Sequence, residues 1–223
     1  MKAVLFDLDR TLLDRDLAFV KYVEQIWPKS KIKAGTKKEL FVSRFIQLDA
    51  RGRGDKRAMF QTLVSEYLPD CDADALLEKF ESVFPATIAP FGDAIPLLVA
   101  LRKDGVLTGV VSNGRGKFQR AKLASSGLLA LLDVVVISEE AGFKKPDPRI
   151  FHIALDSLHC AAEEVMFVGD SEETDIRGAK AVGMIAVLRR YSDEDFATEA
   201  YKEISSLGEI LPLVRSAKTK PAP

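Results

Sequence analysis

The sequence predicts an α/β fold, with a doubly wound parallel (Rossmann-like) sheet as its core and an inserted α-helical subdomain. Five short runs are apolar throughout rather than alternating, which is typical of strands buried on both faces of a parallel sheet. Helix-length amphipathic stretches separate the later runs, whereas residues 15–88 contain no strand-like run. The five predicted strands are AVLF (3–6), TGVVS (108–112), DVVVIS (133–138), VMFVGD (165–170) and MIAVL (184–188).

The stretches between the predicted strands read as helices. Residues 116–132 and 147–159 have the length and amphipathic spacing of helices. In the second, Asp147 is placed to cap the helix and Pro148 stands at its first position. Gly183 is expected to end the helix that begins after the fourth strand, since glycine is favoured just beyond a helix C-terminus. This alternation predicts βαβ units.

The segment 15–88 is predicted to be an inserted helical subdomain. Apolar residues recur there at helical spacing, and we expect them to form its core rather than a ligand site. They are Met59, Phe60, Leu63, Val64, Tyr67 and Leu68, followed by Leu76, Phe80 and Val83. The core domain is therefore expected to comprise residues 1–14 and 89–215. The polar, proline-containing residues 216–223 are expected to form a disordered tail.

Composition excludes several classes of function. The chain has 223 residues and a net charge of −1, so no overall positive charge favours binding to nucleic acid. No apolar run approaches the roughly 18–20 residues that span a bilayer. The apolar run before Asp7 is shorter than the about 7–15 residues of a secretory signal, so we predict a cytoplasmic protein. Cys71 and Cys160 form no metal-spaced pair and are expected to be buried.

Two aspartates follow the first predicted strand. Asp7 and Asp9 are two residues apart, so in a strand their side chains would point the same way. Two carboxylates held close together repel each other unless a positive charge lies nearby. With such a cation, one carboxylate can be a nucleophile and the other a proton donor. Alone, the pattern also fits an ordinary strand-ending turn.

Three further polar clusters follow later strands. Small residues in 112–116 would expose backbone N–H groups to an anion, and Lys144 and Lys145 in 144–148 carry positive charge. Residues 169–175 include four acids, which suit a hard cation such as Mg²⁺. Each cluster alone has an alternative interpretation, namely a turn, a solvated lysine or an acidic helix start.

The four clusters gain meaning together because each follows a predicted parallel strand. Ligands of open α/β sheets bind at the carboxyl ends of the strands. The combined inventory of carboxylates, a hydroxyl, a lysine and free backbone N–H groups is that of metal-assisted phosphoryl transfer.

The order of the motifs resembles that of the haloacid dehalogenase-like (HAD) hydrolase superfamily, in its phosphatase branch with a helical cap of the first type. The motifs are FDLDRTL, VVSNG, KKPDP and VGDSEETDIRGA. The resemblance covers residues 1–14 and about 89–212, and it implies that residues 15–88 are the cap. It also implies a last core strand near Glu203–Ser206.

The resemblance implies a role for each matching residue. Asp7 would be the nucleophile that forms an aspartyl-phosphate, and Asp9 would protonate the leaving oxygen and then activate water. Lys145, directly before Pro146, matches the family lysine. These three residues would be the catalytic set.

The same resemblance implies the phosphate and metal ligands. Thr11 would orient the loop, while Ser112 and Asn113 would bind the phosphate. Mg²⁺ would be held by Asp7, by the backbone carbonyl of Asp9 and by Asp170, and Asp175 would hold a metal-bound water or the lysine. The implied metal set is Asp7, Asp9, Asp170 and Asp175.

Two positions refine the comparison with the superfamily. Arg10 stands where the family usually has glycine, so its side chain is expected either to bind substrate or reach the cap, or to pair with a surface acid. Asp9 favours phosphate over halide substrates, because the family's dehalogenases lack a carboxylate at this position. A chloride leaves without a proton, whereas an alkoxide needs one.

The cap is expected to supply substrate contacts. Asp14 and residues 87–93 would be its hinges. Residues 28–57 contain ten Lys or Arg against three Asp or Glu, which indicates either steering of an anion or a solvated face. Within them, DARGRGDKR (49–57) predicts a flexible specificity loop carrying Arg51 and Arg53.

The sequence therefore predicts a Mg²⁺-dependent phosphatase that acts on a small phosphorylated metabolite, as a monomer or weak homodimer without nucleic-acid or membrane partners. One alternative is a phosphomutase of the same fold. Another is a non-catalytic module that binds phosphoproteins. His152 and His159 lie on a predicted helix away from the site and are expected to be structural or surface residues.

Overall fold

The computed structural model describes residues 1–27, 32–191 and 196–218. The chain divides into two compact units. A core unit comprises Met1–Asp14 and the chain from Pro90 onward, and a cap unit comprises Arg15–Ala89.

A six-stranded sheet forms the centre of the core unit. Its order is β3-β2-β1-β4-β5-β6, and all its strand pairs are parallel. The strands are β1 (Ala3–Phe6), β2 (Leu107–Ser112), β3 (Val134–Ile137), β4 (Val165–Gly169), β5 (Ile185–Arg189) and β6 (Lys202–Ile204). The order runs outward from β1 in both directions, which is the doubly wound pattern. The predicted fold class is confirmed, and β6 lies where the family resemblance placed a last strand.

Helices connect the strands of the core unit. They are α5 (Ala94–Lys103), α6 (Gly116–Ser125), α7 (Ser138–Ala141), α8 (Pro148–Leu158), α9 (Arg177–Ala181) and α10 (Ile210–Lys218). Strand β1 is fully buried, and its Ala3 and Leu5 belong to the same apolar cluster as Ile150 and Phe151 of α8. A strand buried on both faces explains why the run AVLF does not alternate.

Local signals in the sequence placed several helix ends correctly. The side chain of Asp147 accepts a hydrogen bond from the backbone N–H of Arg149, and Pro148 begins α8, as predicted. Gly183 adopts φ 89° two residues beyond the end of α9, as expected of a C-terminal glycine.

Other predictions from the sequence were wrong. The stretch 116–132 is not one helix, because α6 ends at Ser125 and Gly127 turns the chain at φ 74°. Residues 216–218 belong to α10 rather than to a disordered tail, and the remainder of that tail lies outside the described residues. Cys71 of the cap unit and Cys160 of the core unit are half-buried rather than buried.

The described part of the cap unit contains helices and no strand. The helices are α1 (Arg15–Ile26), α2 (Lys38–Asp49), α3 (Lys56–Tyr67) and α4 (Ala73–Thr87). Aromatic rings fill its interior: the Phe80 ring stacks on Phe84 at 4.8 Å, and the Phe19 ring meets both edge-on. Val83, expected in this core, is instead 38% exposed because Phe84 occupies the inward position.

Candidate active site

The motif residues of the core unit meet at the carboxyl ends of its central strands. Asp7 directly follows β1, Ser112 ends β2, and Asp170 directly follows β4. The backbone N–H of Asp7 still donates to the carbonyl of Val168 at 2.9 Å, so Asp7 is held by the sheet itself. The sheet therefore fixes the position of the first aspartate, as the strand pattern predicted.

Lys145 bridges two of the buried carboxylates. Its Nζ lies 2.6 Å from Asp7 Oδ1 and 2.8 Å from Asp175 Oδ1, and the lysine side chain is only 2% exposed. Thr11 Oγ1 donates a weaker hydrogen bond to Asp7 Oδ2 at 3.3 Å. Gly169 allows the close approach of Asp175, because a Cβ at residue 169 would overlap that side chain.

Arg10 lies against Asp170. Its Nη1 is 2.7 Å from Asp170 Oδ2, and its guanidinium lies 4.4 Å from the centre of the Tyr191 ring. The backbone of Arg10 has φ 63°, a conformation that favours glycine, which is the residue the family usually has here. Both side chains of the pair are at most 10% exposed, so the acid that Arg10 meets is not a surface acid.

Burial raises the pKa of two carboxyl groups at this site. The pKa of Asp7 is raised to about 6 by burial and by Asp175, against the opposing effect of Lys145. Burial, with Asp7 and Asp175 nearby, raises the pKa of Asp170 to about 8, although Arg10 opposes this. Burial works against the charge of Lys145 as well, yet Asp175 and Asp7 outweigh it and raise the lysine pKa. The site therefore has a surplus of negative charge.

The three acids fit a divalent cation. One carboxylate oxygen from each of Asp7, Asp170 and Asp175 lies within 4.8 Å of the others, and we call these residues the acidic triad. Asp175 Oδ1 is buried and lies 2.8 Å from the Lys145 ammonium group, and a carboxylate oxygen has a second lone pair that can bind a cation. Buried oxygens with unused acceptor capacity are the ligands that Mg²⁺ prefers.

Asp9 turns its carboxylate to a different partner. Lys122 of α6 places Nζ 2.8 Å from Asp9 Oδ1 and 2.7 Å from Oδ2. Gln119 Nε2 donates to the same Oδ2 at 3.1 Å. The Asp9 carboxylate does not belong to the acidic triad, and only its backbone carbonyl was expected to contact the metal.

The two residues predicted to bind phosphate make different contacts. Ser112 Oγ is buried and accepts a hydrogen bond from Gln119 Nε2 at 2.7 Å. The side chain of Asn113 instead fixes the lysine loop: its Nδ2 donates to the Lys145 carbonyl at 3.0 Å, and its Oδ1 accepts from the Lys145 N–H at 2.8 Å. The Asn113 amide thus positions the segment that delivers Lys145.

Comparison with known proteins decides the family. The family model described as haloacid dehalogenase-like hydrolase matches residues 4–188. The chain belongs to this family. The match includes all four motif segments and the whole cap unit, and it confirms the resemblance seen in the sequence.

Some relatives of this HAD-like hydrolase are named as phosphatases, and another is named as a dehalogenase. A glyceraldehyde 3-phosphate phosphatase of Methanopyrus kandleri is 32% identical over 87% of each chain. An (S)-2-haloacid dehalogenase 1 of a Pseudomonas species is 30% identical over 94% of this chain and 95% of its own. Among solved structures, an HAD phosphatase from Thermococcus onnurineus is 33% identical with a TM-score of 0.71, covering 96% of this chain and 98% of its own.

Two residues of this HAD-like hydrolase were missed at the sequence level. Gln119 and Lys122 were read only as part of an amphipathic helix, although both are 2% exposed. A signal was present, since the two lie three positions apart and Lys122 directly precedes the buried Leu123. A lysine on the apolar face of a helix needs an acidic partner, but the sequence did not identify that partner as Asp9.

The predicted specificity loop in the cap unit is more ordered than expected. Asp49 accepts a hydrogen bond from the Gly52 N–H at 2.8 Å, and Lys56 Nζ donates to the Gly54 carbonyl at 2.8 Å. Residues 50–52 form a helical turn, so this segment has regular local structure, while its flexibility stays a prediction. Arg51 and Arg53 are exposed on this turn. Residues 28–31 of the basic stretch lie outside the described residues.

His152 and His159 are both exposed, and His159 caps the C-terminus of α8, directly after Leu158, with φ 52°. Within the described residues, no helix is both long enough and apolar enough to cross a membrane.

Proposed function

We propose that this hydrolase is a Mg²⁺-dependent phosphatase that cleaves a small phosphomonoester through an aspartyl-phosphate on Asp7. The observation that carries the proposal is the buried acidic triad with Lys145 paired to Asp7. Three carboxylates stand against the two cations Lys145 and Arg10, so the site lacks positive charge until a cation binds. Burial without that cation would be costly.

The acidic triad and the backbone carbonyl of Asp9 would hold the Mg²⁺. When bound, the ion would supply positive charge to the nucleophile and to the phosphate oxygens. Lys145 would keep Asp7 ionised and oriented through the contact at 2.6 Å. Ser112 and the backbone at residue 113 would bind the remaining phosphate oxygens, and Thr11 would orient the nucleophile's loop.

The first half of the reaction would transfer the phosphoryl group to Asp7. One Asp7 oxygen forms a bond to phosphorus while the ester P–O bond breaks, and Asp9, which enters this step as the carboxylic acid, gives its proton to the departing alkoxide and becomes a carboxylate. In the second half, Asp9 takes a proton from a water molecule whose oxygen attacks phosphorus. The bond between Asp7 and phosphorus breaks, and inorganic phosphate leaves.

Asp9 also separates this proposal from dehalogenation. A halide is a weak base and leaves without a proton, so a dehalogenase needs no carboxylic acid here. An alkoxide is a strong base, and its departure is slow without a proton donor. The presence of Asp9 with Lys122 and Gln119 around it supports a phosphate ester as substrate rather than a haloacid.

The names of the relatives support a small phosphorylated metabolite as substrate. The Methanopyrus relative is named for glyceraldehyde 3-phosphate, a three-carbon phosphomonoester. The exposed Arg51 and Arg53 of the cap unit are the candidates for recognising an anionic group of that substrate. A cytoplasmic monomer or weak homodimer remains a prediction.

The proposal is tested by phosphate release from a panel of small phosphomonoesters, with Mg²⁺ and with excess EDTA. We expect turnover that requires Mg²⁺ and falls at least about 10⁴-fold in Asp7→Asn, which keeps the shape but removes the nucleophilic charge. Asp156→Asn, at an exposed position of α8, is the matched control and should keep full activity. A folded, Mg²⁺-bound native chain that releases no phosphate from any ester would disprove the proposal.

A further inference from the structure

Helix α6 aims two buried polar side chains at Asp9. Gln119 and Lys122 are one helical turn apart and share a face, and each is 2% exposed. Lys122 Nζ reaches both oxygens of Asp9, at 2.8 and 2.7 Å. Gln119 Nε2 reaches Asp9 Oδ2 at 3.1 Å and Ser112 Oγ at 2.7 Å. One carboxylate therefore receives donors from two residues more than 100 positions away in the chain.

This lysine is not explained by packing. Burying an ammonium group is costly, and an apolar side chain of similar length would fill the same space without that cost. The Phe118 ring lies 4.8 Å from Lys122 Nζ, which adds a favourable cation–π contact, but the ion pair with Asp9 is the main compensation. The placement of Lys122 is therefore linked to the position of Asp9.

A general acid must present one oxygen to the leaving group in a defined geometry. Asp9 follows a strand on a turn that also carries Arg10, and its carboxylate is held by polar contacts, among them those from Lys122 and Gln119. Asp7 also bears a carboxylate, and repulsion between like charges would drive Asp9 away from the nucleophile. Contacts to both Oδ1 and Oδ2 oppose that movement.

We propose that Lys122 and Gln119 are positioning residues: they hold the Asp9 carboxyl group for proton transfer to and from the reacting oxygens, and Lys122 pairs with the carboxylate that remains once the proton has left. The inference rests on the proposed phosphatase chemistry and deepens it, because it assigns two residues of α6 to the step that Asp9 performs. Gln119 also connects this step to phosphate binding through Ser112. Neither residue is expected to contact the substrate itself.

The test compares two esters that differ in their need for a proton. Glycerol phosphate has a strongly basic alkoxide leaving group, whereas p-nitrophenyl phosphate has a weakly basic one. We would measure kcat/KM for both esters at saturating Mg²⁺, since this ratio includes only the steps through departure of the leaving group. The variants are Lys122→Met, Lys122→Arg and Gln119→Leu, each compared with the native chain.

Loss of positioning should slow the alkyl ester selectively. In Lys122→Met we expect kcat/KM for glycerol phosphate to fall about 100-fold, near the lower end of what a general acid contributes, and the fall for p-nitrophenyl phosphate to be at least about tenfold smaller. Lys122→Arg should restore much of the alkyl activity because the charge remains. In Gln119→Leu, kcat/KM for glycerol phosphate should again fall more than that for p-nitrophenyl phosphate, but by a smaller factor than in Lys122→Met.

The control is Arg120→Met, on the same helix. Arg120 forms an exposed ion pair with Glu140 at 2.6 Å and faces away from the site, so both esters should react at the native rate. If Lys122→Met does not fold, Gln119→Leu decides the matter through the same ratio of the two esters. An equal fall for both esters in Lys122→Met or Gln119→Leu, or no fall in the folded ones of these two variants, would overturn the positioning role. A native chain that hydrolyses neither ester would instead overturn the proposed function.

Discussion

Buried charges are arranged differently in the two units of the molecule. In the cap unit, Asp49 is 2% exposed and receives two hydrogen bonds from Arg15, at 2.7 and 2.8 Å. Lys56 Nζ lies 3.1 Å from Asp49 Oδ1, the oxygen that also accepts from Arg15 Nη2. We call Arg15, Asp49 and Lys56 the cap cluster. One acid is thus matched by two cations and by a backbone N–H.

The core unit has the opposite balance, with three acids of the triad against Lys145 and Arg10. The pKa values show the consequence. Burial opposes ionisation of Asp49, yet Arg15 and Lys56 hold its pKa below the ordinary value. In the triad, burial raises the pKa of Asp7 and Asp170 instead. In the cap cluster the one acid is fully paired and holds two cations together, which stabilises the fold, whereas in the triad the acids outnumber their cations and prepare a site for a positively charged ligand.

Removal of a triad acid should have the largest effect on activity and little on the fold. For Asp170→Ala we expect turnover to fall at least about 10³-fold, because a metal ion contributes several kcal/mol to stabilising the transition state. Isothermal titration should show weakened Mg²⁺ binding, while circular dichroism should match that of the native chain. If the variant binds Mg²⁺ as tightly as the native chain, Asp170 is not a ligand.

Removal of the cap acid should mainly affect stability. Asp49→Ala leaves two buried cations without their partner, so we expect the free energy of unfolding of the cap unit to fall by about 3–5 kcal/mol in urea titrations. Asp74→Ala is the matched control: it breaks an exposed ion pair with Arg57 at 3.0 Å and should change stability very little. Equal effects of the two substitutions would show that the cap cluster is not a stabilising centre.

Replacing Arg10 tests whether the charge surplus governs metal binding. Arg10→Gly removes a cation 2.7 Å from Asp170 and introduces the residue that suits φ 63°. We expect Mg²⁺ to bind at least about tenfold more tightly, because removing one unit charge about 4 Å away relieves a repulsion of roughly 1 to 4 kcal/mol for dielectric constants between ~80 and ~20, and tenfold corresponds to about 1.4 kcal/mol. The metal-free variant should melt at a lower temperature than native. Weaker Mg²⁺ binding would mean that Arg10 orients Asp170 for the metal.

Acid should weaken the cap cluster by a smaller amount. The pKa of Asp49 is lowered in the fold, so its stabilising contribution is complete above the unfolded value of about 3.9 and is lost as pH falls through the folded value. Urea unfolding between pH 7 and pH 3 should therefore show a flatter pH dependence for Asp49→Asn than for the native chain. If the free energy of unfolding depends on pH equally in the two chains, ionised Asp49 does not stabilise the cap unit.

The sequence predicted those features that depend on local pattern or on motif order. Apolar runs located the strands within about one residue, and the acids after β1 and β4 were placed at the correct edge of the sheet. Partners distant in the chain were not predictable. Arg10 and Asp170 are 160 positions apart, and Lys122 and Asp9 are 113 apart, so no local pattern connects them.

Two features of the cap unit differ from their predictions for physical reasons. The glycines of DARGRGDKR suggested flexibility, but the side chains of Asp49 and Lys56 bind the backbone of that turn. The apolar spacing of Val83 fitted a helix core equally well, but the larger Phe84 occupies the inward side. In both cases tertiary contacts outweighed the local signal.

The most direct test of the account is to trap the covalent intermediate. A phosphomonoester with a radioactive phosphorus atom is mixed with the native chain and Mg²⁺. The reaction is quenched in acid within the first turnover, and the labelled peptide is sequenced. We predict label on the peptide that contains Asp7 in the native chain, and none in Asp7→Asn or in the presence of EDTA. Label on a different residue, or turnover of the ester without any labelled peptide, would contradict the assignment of Asp7 as the nucleophile.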